Sequence, residues 1–498
     1  MKVFQTSQVR TLDRLTIEGE PISSIDLMER AAYGLFGWVA AKYSSFTPVY
    51  IFAGPGNNGG DGAALARMLC EVGFDVRLFV LGSSAGLSAD LEANIQRLAQ
   101  QGLAPIKYIH QGDDFPFIPS HSVAIDALFG SGLTRPIEGI AAHLINHINS
   151  SGATVVSIDL PSGLHGEGIH NSGKYPVVRA NFTLALQFPK LCFFFPENEE
   201  NVGQWGVIPI GLLAKAIEAT ATPYIYVDSE LANQWLPTRT RFQHKGNFGH
   251  CLLVAGSRGM MGAAVLSARG CLAAGAGLLT VHAPECGYPV LQSSVPEAML
   301  SVDPSMNIFS SPPDTKRYTA IGVGPGLGQE CDTHRALKHL LAQVHCPLVL
   351  DADALNILAQ SQELLQKLPP NTVLTPHPGE FRRLFGSSNS TMSEMLLAIA
   401  QSNRLNVVIV LKGAYTKTVC PDGTVYINST GNPGMATGGS GDALTGIITS
   451  LLGQGIEPFR AAALGVYLHG LAADRAADRK GKQSLRTSEI IDRLGEPF

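Results

Sequence analysis

A chain of 498 residues is too long for one hydrophobic core and implies two or three domains. Its 45% apolar and 15% charged residues describe an ordinary globular protein, and a net charge of −5 argues against a general binder of nucleic acid or anionic membrane. Eight cysteines stand apart in sequence without CxxC or Cys/His ligand spacing, so reduced, mostly buried thiols in a cytoplasmic protein are expected. Met1 to Arg10 has no apolar signal core, and no stretch reaches the length of a membrane span.

Residues 8–40 read as helical with a break at Pro21-Ile-Ser-Ser24, and 25–41 carries an apolar face. From Val49 the pattern becomes alternating strand and helix: strands at 49–53, 76–81, 123–125, 154–158 and 182–186, helices at 63–72 and 89–101. That alternation predicts an α/β domain with a parallel sheet covered on both faces, and ligands bind beyond the carboxyl ends of such strands.

The strand ends carry the polar chemistry. Gly54-Pro-Gly-Asn-Asn-Gly-Gly-Asp61-Gly62 fits GxGxxG through Gly54, Gly56 and Gly59, which alone is a weak dinucleotide signal. The acid expected at the end of the next strand is missing, since that strand runs out into Leu81-Gly-Ser-Ser. Asn57, Asn58 and Asp61 add oxygens that a plain fingerprint lacks, so phosphates are expected here in another pose. The next ends are Asp126-Ala-Leu-Phe-Gly-Ser-Gly-Leu-Thr-Arg135-Pro136 and Asp159-Leu-Pro-Ser162-Gly163. Either aspartate alone could merely stabilise a turn. Three such ends in one small sheet point instead to a shared site. Asn58, Asp126 and Ser162 are hard oxygen donors of low total charge, a set suited to a monovalent cation rather than a transition metal.

Over residues 1–220, Asn57-Asn-Gly-Gly-Asp-Gly62, Asp126-Ala-Leu-Phe-Gly-Ser-Gly132 and Asp159-Leu-Pro-Ser-Gly163 resemble the epimerase domain of the NAD(P)H-hydrate repair enzymes. The resemblance implies a Rossmann-like fold and a potassium ion held by Asn58, Asp126 and Ser162. It also implies contacts to a hydrated nicotinamide nucleotide from Asn57, Asn58, Gly59, Gly60 and Asp61, from Gly130, Ser131, Gly132, Leu133, Thr134, Arg135 and Pro136, and from Asp159. The segment after Gly163 (Leu-His-Gly-Glu-Gly-Ile-His-Asn) departs from the family pattern.

A small-residue stretch over 217–223 and Tyr224-Ile-Tyr-Val227 mark a boundary, with 221–228 as linker and 229–498 as the second domain. Here a strand and glycine turn are expected over 251–257, an apolar helix from Met261, and strands at 278–282, 320–323, 348–350, 373–374 and 407–411. Their ends are Gly322-Val-Gly-Pro-Gly-Leu-Gly328, Asp351-Ala-Asp353, Thr375-Pro-His-Pro-Gly-Glu380 and Lys412-Gly-Ala-Tyr-Thr416. Asp351 and Asp353 suit a magnesium pair or helix-start positions, and the Ala/Leu run after Asp353 favours the latter. A lone histidine is usually structural, but His377 is held between prolines beside an acid, which makes it a site candidate.

The sharpest signal is Gly431-Asn-Pro-Gly-Met-Ala-Thr-Gly-Gly-Ser-Gly-Asp442, which runs into an apolar helix over 443–452. Glycines let successive N–H groups converge, and the helix start adds partial positive charge, a cradle for phosphate oxygens. A carboxylate repels the anion it would sit beside. Asp442 therefore reads as a base for a hydroxyl that attacks the phosphoryl group, with helix capping as the plainer alternative.

His244-Lys-Gly246, the 375–380 turn and the 431–442 loop resemble the ADP- or ATP-dependent NAD(P)H-hydrate dehydratases of the ribokinase-like superfamily over 229–498. The resemblance implies hydrate contacts from Ala263, Gly326, His377 and Asp442. ADP contacts would come from Lys412, Gly413, Ala414, Tyr415, Thr416 and Gly441, with a magnesium ion beside the glycine nest. The first domain would interconvert the R and S hydrates of NADH and NADPH, with Asp159 handling the proton. The second would dehydrate the S hydrate with ADP, giving AMP and phosphate. The expected partners are those hydrates and ADP, with no nucleic acid or membrane, in a homo-oligomer. The alternative is a hydroxymethylpyrimidine-type kinase joined to a non-catalytic N-terminal binding module.

Overall fold

Runs such as Val49-Tyr-Ile-Phe-Ala53 leave no polar face, as a strand covered on both sides requires, and in the computed structural model every residue of this run is buried. The structure describes residues 1–133, 135–168 and 175–496. It separates into two units, Lys2–Thr222 and Pro223–Phe498, the latter taking in Met1.

The first unit is a seven-stranded sheet of β1 (Val49–Ala53), β2 (Val76–Leu81), β3 (Ile106–Ile109), β4 (Val123–Ala127), β5 (Thr154–Ile158), β6 (Phe182–Leu186) and β7 (Gln204–Ile208). All neighbours are parallel, in the order 3-2-1-4-5-6-7. The order reverses between β1 and β4, the switch point at which a crevice opens beyond the strand ends. Strand alternation sends Ile51 to one face, among Leu12, Leu35 and Leu65, and Phe52 to the other, among Leu144 and Ile148. The edge strands β3 and β7 were not expected. They are only half buried, so they lack the apolar run that marks the central strands.

The 8–40 segment forms α1 (Thr6–Gly19) and α2 (Ser24–Lys42). The break is a capping box, in which Ser23 Oγ accepts from Asp26 N–H and the Asp26 carboxylate accepts from Ser23 N–H. The next helix differs from expectation: α3 (Asn57–Glu71) begins six residues before 63. Glycine disfavours helix interiors, and that hid Asn57 to Gly62. Close packing overrides the propensity here, since a Cβ at Gly59 would collide with the Gly54 carbonyl and one at Gly62 would fall 2.6 Å from Ala127 Cβ.

The second unit holds β8 (Tyr224–Val227), β9 (His250–Val254), β10 (Leu278–Pro284), β11 (Met299–Asp303), β12 (Ala320–Val323), β13 (Leu348–Leu350), β14 (Val373–Leu374), β15 (Val408–Leu411), β16 (Lys417–Val419) and β17 (Val425–Asn428). They run in the order 8-17-16-15-14-13-12-9-10-11, parallel except that β16 is antiparallel to both its neighbours. Tyr224–Val227, read from sequence as part of a linker, is thus a strand, paired with β17. The helices that matter for the site are α4 (Met261–Ala273), α5 (Ala352–Gln360), α6 (Pro378–Phe385), α7 (Ser440–Gly453) and α8 (Pro458–Lys480). Every residue of α7 from Ala443 to Gly453 is buried, as its all-round apolar sequence requires. It packs on α4 at backbone contact: a Cβ at Gly446 would overlap the Ser267 carbonyl, and one at Gly270 would lie 2.7 Å from the Ala443 carbonyl. Both units are mainly parallel α/β sheets, as the alternation predicts. Among the described residues no helix is long and apolar enough to cross a membrane.

Candidate active sites

At the β1–β4 switch point of the first unit lies a cavity of about 560 Å³. Asn57, Asn58 and Asp61 line it from the start of α3, Gly130, Ser131, Gly132, Leu133 and Arg135 from beyond β4, and Asp159 from beyond β5. Nine of the expected hydrate-binding residues are therefore brought together. Gly59 and Gly60 are buried inside α3 and serve its packing, Gly60 lying against Met28. Pro136 is not among the lining residues. Thr134 lies outside the described residues.

The first turn of α3 supplies the positive end of the site. Its first backbone bond runs from Gly60 N–H to the Gly56 carbonyl, and the N–H groups of Asn57, Asn58 and Gly59 meet no acceptor among the described residues. Free donors at a helix start form an anion seat.

Asp159 holds a left-handed backbone (φ 65°) and pairs with Lys190 at 2.8 Å, the two side chains being only 9% and 2% exposed. Its carboxylate also accepts from Ser131 N–H (3.2 Å) and Leu186 N–H (3.3 Å). Burial pushes this carboxyl up, but the Lys190 charge, its hydrogen bond and the two N–H donors outweigh burial and hold it below the usual range. Sequence reasoning missed Lys190. The signal was a single lysine inside the apolar run Phe188-Pro-Lys-Leu-Cys-Phe-Phe-Phe195, since a lysine so placed needs an acid partner.

Two further carboxyls face the same cavity. Asp13 reaches it from α1 and Asp61 from α3, and neither accepts a hydrogen bond from any described residue. Burial, then the Asp159 charge, pushes Asp13 up to about 6 against the pull of Lys190. Burial, then Asp159, Asp13 and Asp90, pushes Asp61 well above the carboxylate range. Asp13 was missed because Arg-Thr-Leu-Asp13-Arg reads as the polar face of an ordinary helix.

Of the expected cation ligands, Asp126 and Ser162 touch. Asp126 is fully buried behind the turn after β4, accepting from Ser162 Oγ (2.6 Å), Ser162 N–H (2.9 Å), Ser157 Oγ (2.8 Å) and Leu128 N–H (3.2 Å). Asn58 sits beside Gly130, where a Cβ would lie 3.1 Å from its Oδ1, and its Nδ2 is buried without a partner. No group of three His, Cys, Asp or Glu side chains placed to hold a metal occurs among the described residues.

The second site is knitted from consecutive strand ends. Asp351 N–H donates to the Val323 carbonyl, Thr375 N–H to Leu350 (3.1 Å) and Lys412 N–H to Pro376 (3.2 Å), so the ends of β12 to β15 form one rim. Asp351 stands at the start of α5, as expected, but caps nothing. Its carboxylate binds Lys412 Nζ (2.7 Å) and Thr445 Oγ1 (2.7 Å) instead. Asp353 accepts from Gly328 N–H (2.9 Å) and Gln329 Nε2 (3.0 Å), which fixes the glycine-rich 322–328 loop.

Asp442 is the third residue of α7, whose capping position is Gly439 (φ 87°). It therefore does not cap the helix, and its carboxyl accepts no hydrogen bond from a described residue. The N–H groups of Gly441 and Asp442 are likewise free, because the first backbone bond of the helix is Ala443 N–H to Gly439. Burial, then the Asp351 charge, pushes Asp442 up to about 6, opposed by Lys412. A Cβ at 441 would lie 3.2 Å from Lys412 Nζ, so a side chain there would push on the end of that lysine.

Ala263 and Gly326 meet: a Cβ on Gly326 would lie 3.0 Å from Ala263 Cβ. His377 does two things. Its Nδ1 accepts from Gly379 N–H (3.0 Å) and Glu380 N–H (3.4 Å), capping α6, while half of the side chain is exposed. Burial, then the charges of Lys412 and Arg383, lowers its pKa, so the ring is neutral at pH 7. In the Lys412–Thr416 turn, Thr416 Oγ1 donates to the Gly413 carbonyl (2.9 Å) and closes the loop around Ala414 and Tyr415. Asp474 of α8, unmarked in the sequence, accepts from Gly431 N–H and Asn432 Nδ2 (both 2.8 Å) and anchors the loop that leads to Asp442.

Comparison with known proteins assigns both halves. Residues 251–495 match the family described as NAD(P)H-hydrate dehydratase, and residues 24–192 the family described as YjeF-related protein N-terminus. A bifunctional NAD(P)H-hydrate repair enzyme from Moorella thermoacetica is 36% identical, the alignment covering 99% of this chain and 96% of that one. The enzyme of the same description from Coxiella burnetii is 34% identical over 99% and 98% of the two chains. A solved ADP/ATP-dependent NAD(P)H-hydrate dehydratase from Bacillus subtilis, co-crystallised with ATP and magnesium, is 34% identical, covers 54% of this chain and 96% of its own, and superposes with a TM-score of 0.48.

Proposed function

The chain belongs to the bifunctional NAD(P)H-hydrate repair enzymes, and we propose how its two units divide that work. The first interconverts the R and S hydrates of NADH and NADPH. The second uses ADP to return the S hydrate to NAD(P)H, releasing AMP and phosphate.

The observation that carries the reading is Asp442, an unpartnered carboxyl beside free helix-start N–H groups and Lys412. In the hydrate, a hydroxyl sits on the carbon next to the ring nitrogen, and hydroxide is a poor leaving group. Asp442 takes the hydroxyl proton as the oxygen attacks the terminal phosphorus of ADP, and AMP departs. The ring-nitrogen lone pair then expels phosphate, and loss of a proton from the adjacent carbon restores the double bond. The N–H groups of Gly441 and Asp442, with Lys412, hold the phosphoryl charge. Pushed up only to about 6, Asp442 remains mainly ionised at pH 7, as a base must be. Ala263, Gly326 and His377 frame the hydrate, and Lys412, Gly413, Ala414, Tyr415, Thr416 and Gly441 frame ADP.

Asp351 is engaged by Lys412 and Thr445, and Asp353 by Gly328 N–H and Gln329, so a magnesium ion here would be held mainly through the nucleotide phosphates. Magnesium would neutralise phosphate charge. In the first unit the donor set fits potassium: Asn58 Oδ1 lies beside Gly130, on the turn behind which Ser162 and Asp126 meet. That ion would lend positive charge to the cavity floor, where Asn57, Asp61, the 130–136 turn and Asp159 meet the hydrate. The same reading places the enzyme in the cytoplasm as a homo-oligomer.

The test is a mixed-epimer hydrate sample incubated with ADP while dihydronicotinamide absorbance is followed. Recovery of all the hydrate as NAD(P)H is expected. Accumulation of a stable phosphate ester would favour a kinase instead.

A further inference from the structure

We propose that Asp13 and Asp61 are the proton-carrying pair of epimerisation, with Asp159 held by Lys190 as a fixed counter-ion. This inference rests on the epimerase reading above.

Each carboxyl near the cavity has a different use. Asp126 is saturated by two serines and two backbone N–H groups. Asp159 is engaged by Lys190, Ser131 and Leu186. Asp13 and Asp61 alone among these line the cavity with no hydrogen-bond donor among the described residues, so their oxygens are available to a bound molecule. They also reach the cavity from separate helices, α1 and α3.

The chemistry needs such a division. Inversion at the hydroxyl-bearing carbon begins when a carboxylic acid protonates the hydroxyl. The C–O bond breaks, water departs, and the ring-nitrogen lone pair forms a C=N bond, leaving a cation. Water then adds to the same carbon from the other face, the C–O bond re-forms, and a carboxylate takes the proton. Atoms and charge balance with no further reagent. Acid and base must be able to exchange a proton, and Asp13 and Asp61 are both pushed up by burial and by the charges facing them. The raising charges are Asp159 on both, with Asp13 and Asp90 on Asp61; Lys190 opposes them at Asp13, and the cavity wall adds Arg10 and Arg135. The cation needs a permanent anion. Asp159 is held ionised, so it supplies the field rather than the proton, a different role from the one its sequence motif implies.

The experiment uses the full chain and purified R hydrate without ADP and follows the appearance of S hydrate by chromatography, with the uncatalysed rate subtracted. Asp13→Asn should lower kcat for inversion at least about 100-fold, with KM within about threefold. Asp13→Glu should retain the acidic limb of the pH profile near 6, shifted, while Asp13→Asn abolishes it. Turnover of S hydrate, which bypasses the first unit, should be unchanged in both. Inversion by Asp13→Asn within threefold of wild type, or an unmoved limb in Asp13→Glu, overturns the proposal. Should Asp13→Asn fail to fold, the limb in Asp13→Glu decides alone. Wild-type enzyme that never inverts the R hydrate would overturn the epimerase reading itself.

Discussion

The two units share no sequence motif, yet each sets a lysine–aspartate pair beside an unpaired carboxyl. In the first, Lys190 and Asp159 stand 2.8 Å apart near Asp13, and in the second Lys412 and Asp351 stand 2.7 Å apart near Asp442. Both unpaired acids are pushed up to about 6. The difference lies in what surrounds them. Asp442 has free N–H groups and a partly exposed lysine at hand, the setting for a base working beside phosphate. Asp13 has a second unpaired acid and a sealed ion pair, the setting for passing a proton to and fro. One pair fixes a charge, and the neighbouring acid is left free to titrate.

Breaking one unit at a time sharpens that contrast. The largest effect is expected from Asp442→Asn, which should lower S-hydrate turnover by roughly 10²–10⁴-fold, measured with ADP, while R-to-S inversion followed by chromatography persists. Lys190→Met comes next. It leaves a buried carboxylate without its partner and should destabilise the first unit by about 3–5 kcal/mol in a denaturant melt, with the second unit's transition unmoved. Lys412→Met leaves the buried Asp351 carboxylate with only Thr445, so a raised KM for ADP is expected together with a loss of stability smaller than that of Lys190→Met, because Lys412 itself is 20% exposed.

A subtler effect is on pH. Asp442 is active as the anion, so S-hydrate kcat should fall about tenfold per pH unit below about 6. The same shift has a stability sign. A carboxyl raised from 3.8 to about 6 binds its proton more tightly when folded. It therefore disfavours folding above pH 6 and is neutral below 3.8. Asp442→Asn should raise the Tm of the second unit at pH 8 and leave it unchanged at pH 3.5. The smallest effect is that of Gly441→Ala, whose Cβ meets only the movable end of Lys412, and a KM increase for ADP without loss of Tm is expected.

The central parallel strands and the strand ends that carry glycine and aspartate were legible, because a buried run followed by those residues leaves few alternatives, whereas the short antiparallel β16 and its partner β17 were not expected. The edge strands β3, β7 and β11 were not, since half-exposed strands carry a weak pattern. The start of α3 was hidden by glycines that serve packing, not flexibility. Asp351 shows why local reading fails at a site. Its position is a helix start, but its partner Lys412 is 61 residues further on. Asp13 was hidden for the same reason, as it matters only through its neighbours across the cavity, and Lys190 left only the trace of a lysine in an apolar run. The roles of Ala263 and Gly326 came from resemblance alone, though their contact in space agrees with a shared wall.

The account stands on the hydrate oxygen leaving as part of phosphate. S hydrate carrying ¹⁸O in its hydroxyl, taken through a single turnover with ADP and excess enzyme, tests that directly by mass spectrometry of the products. The account predicts ¹⁸O in the released phosphate. Label recovered in water, with the phosphate unlabelled, would contradict it.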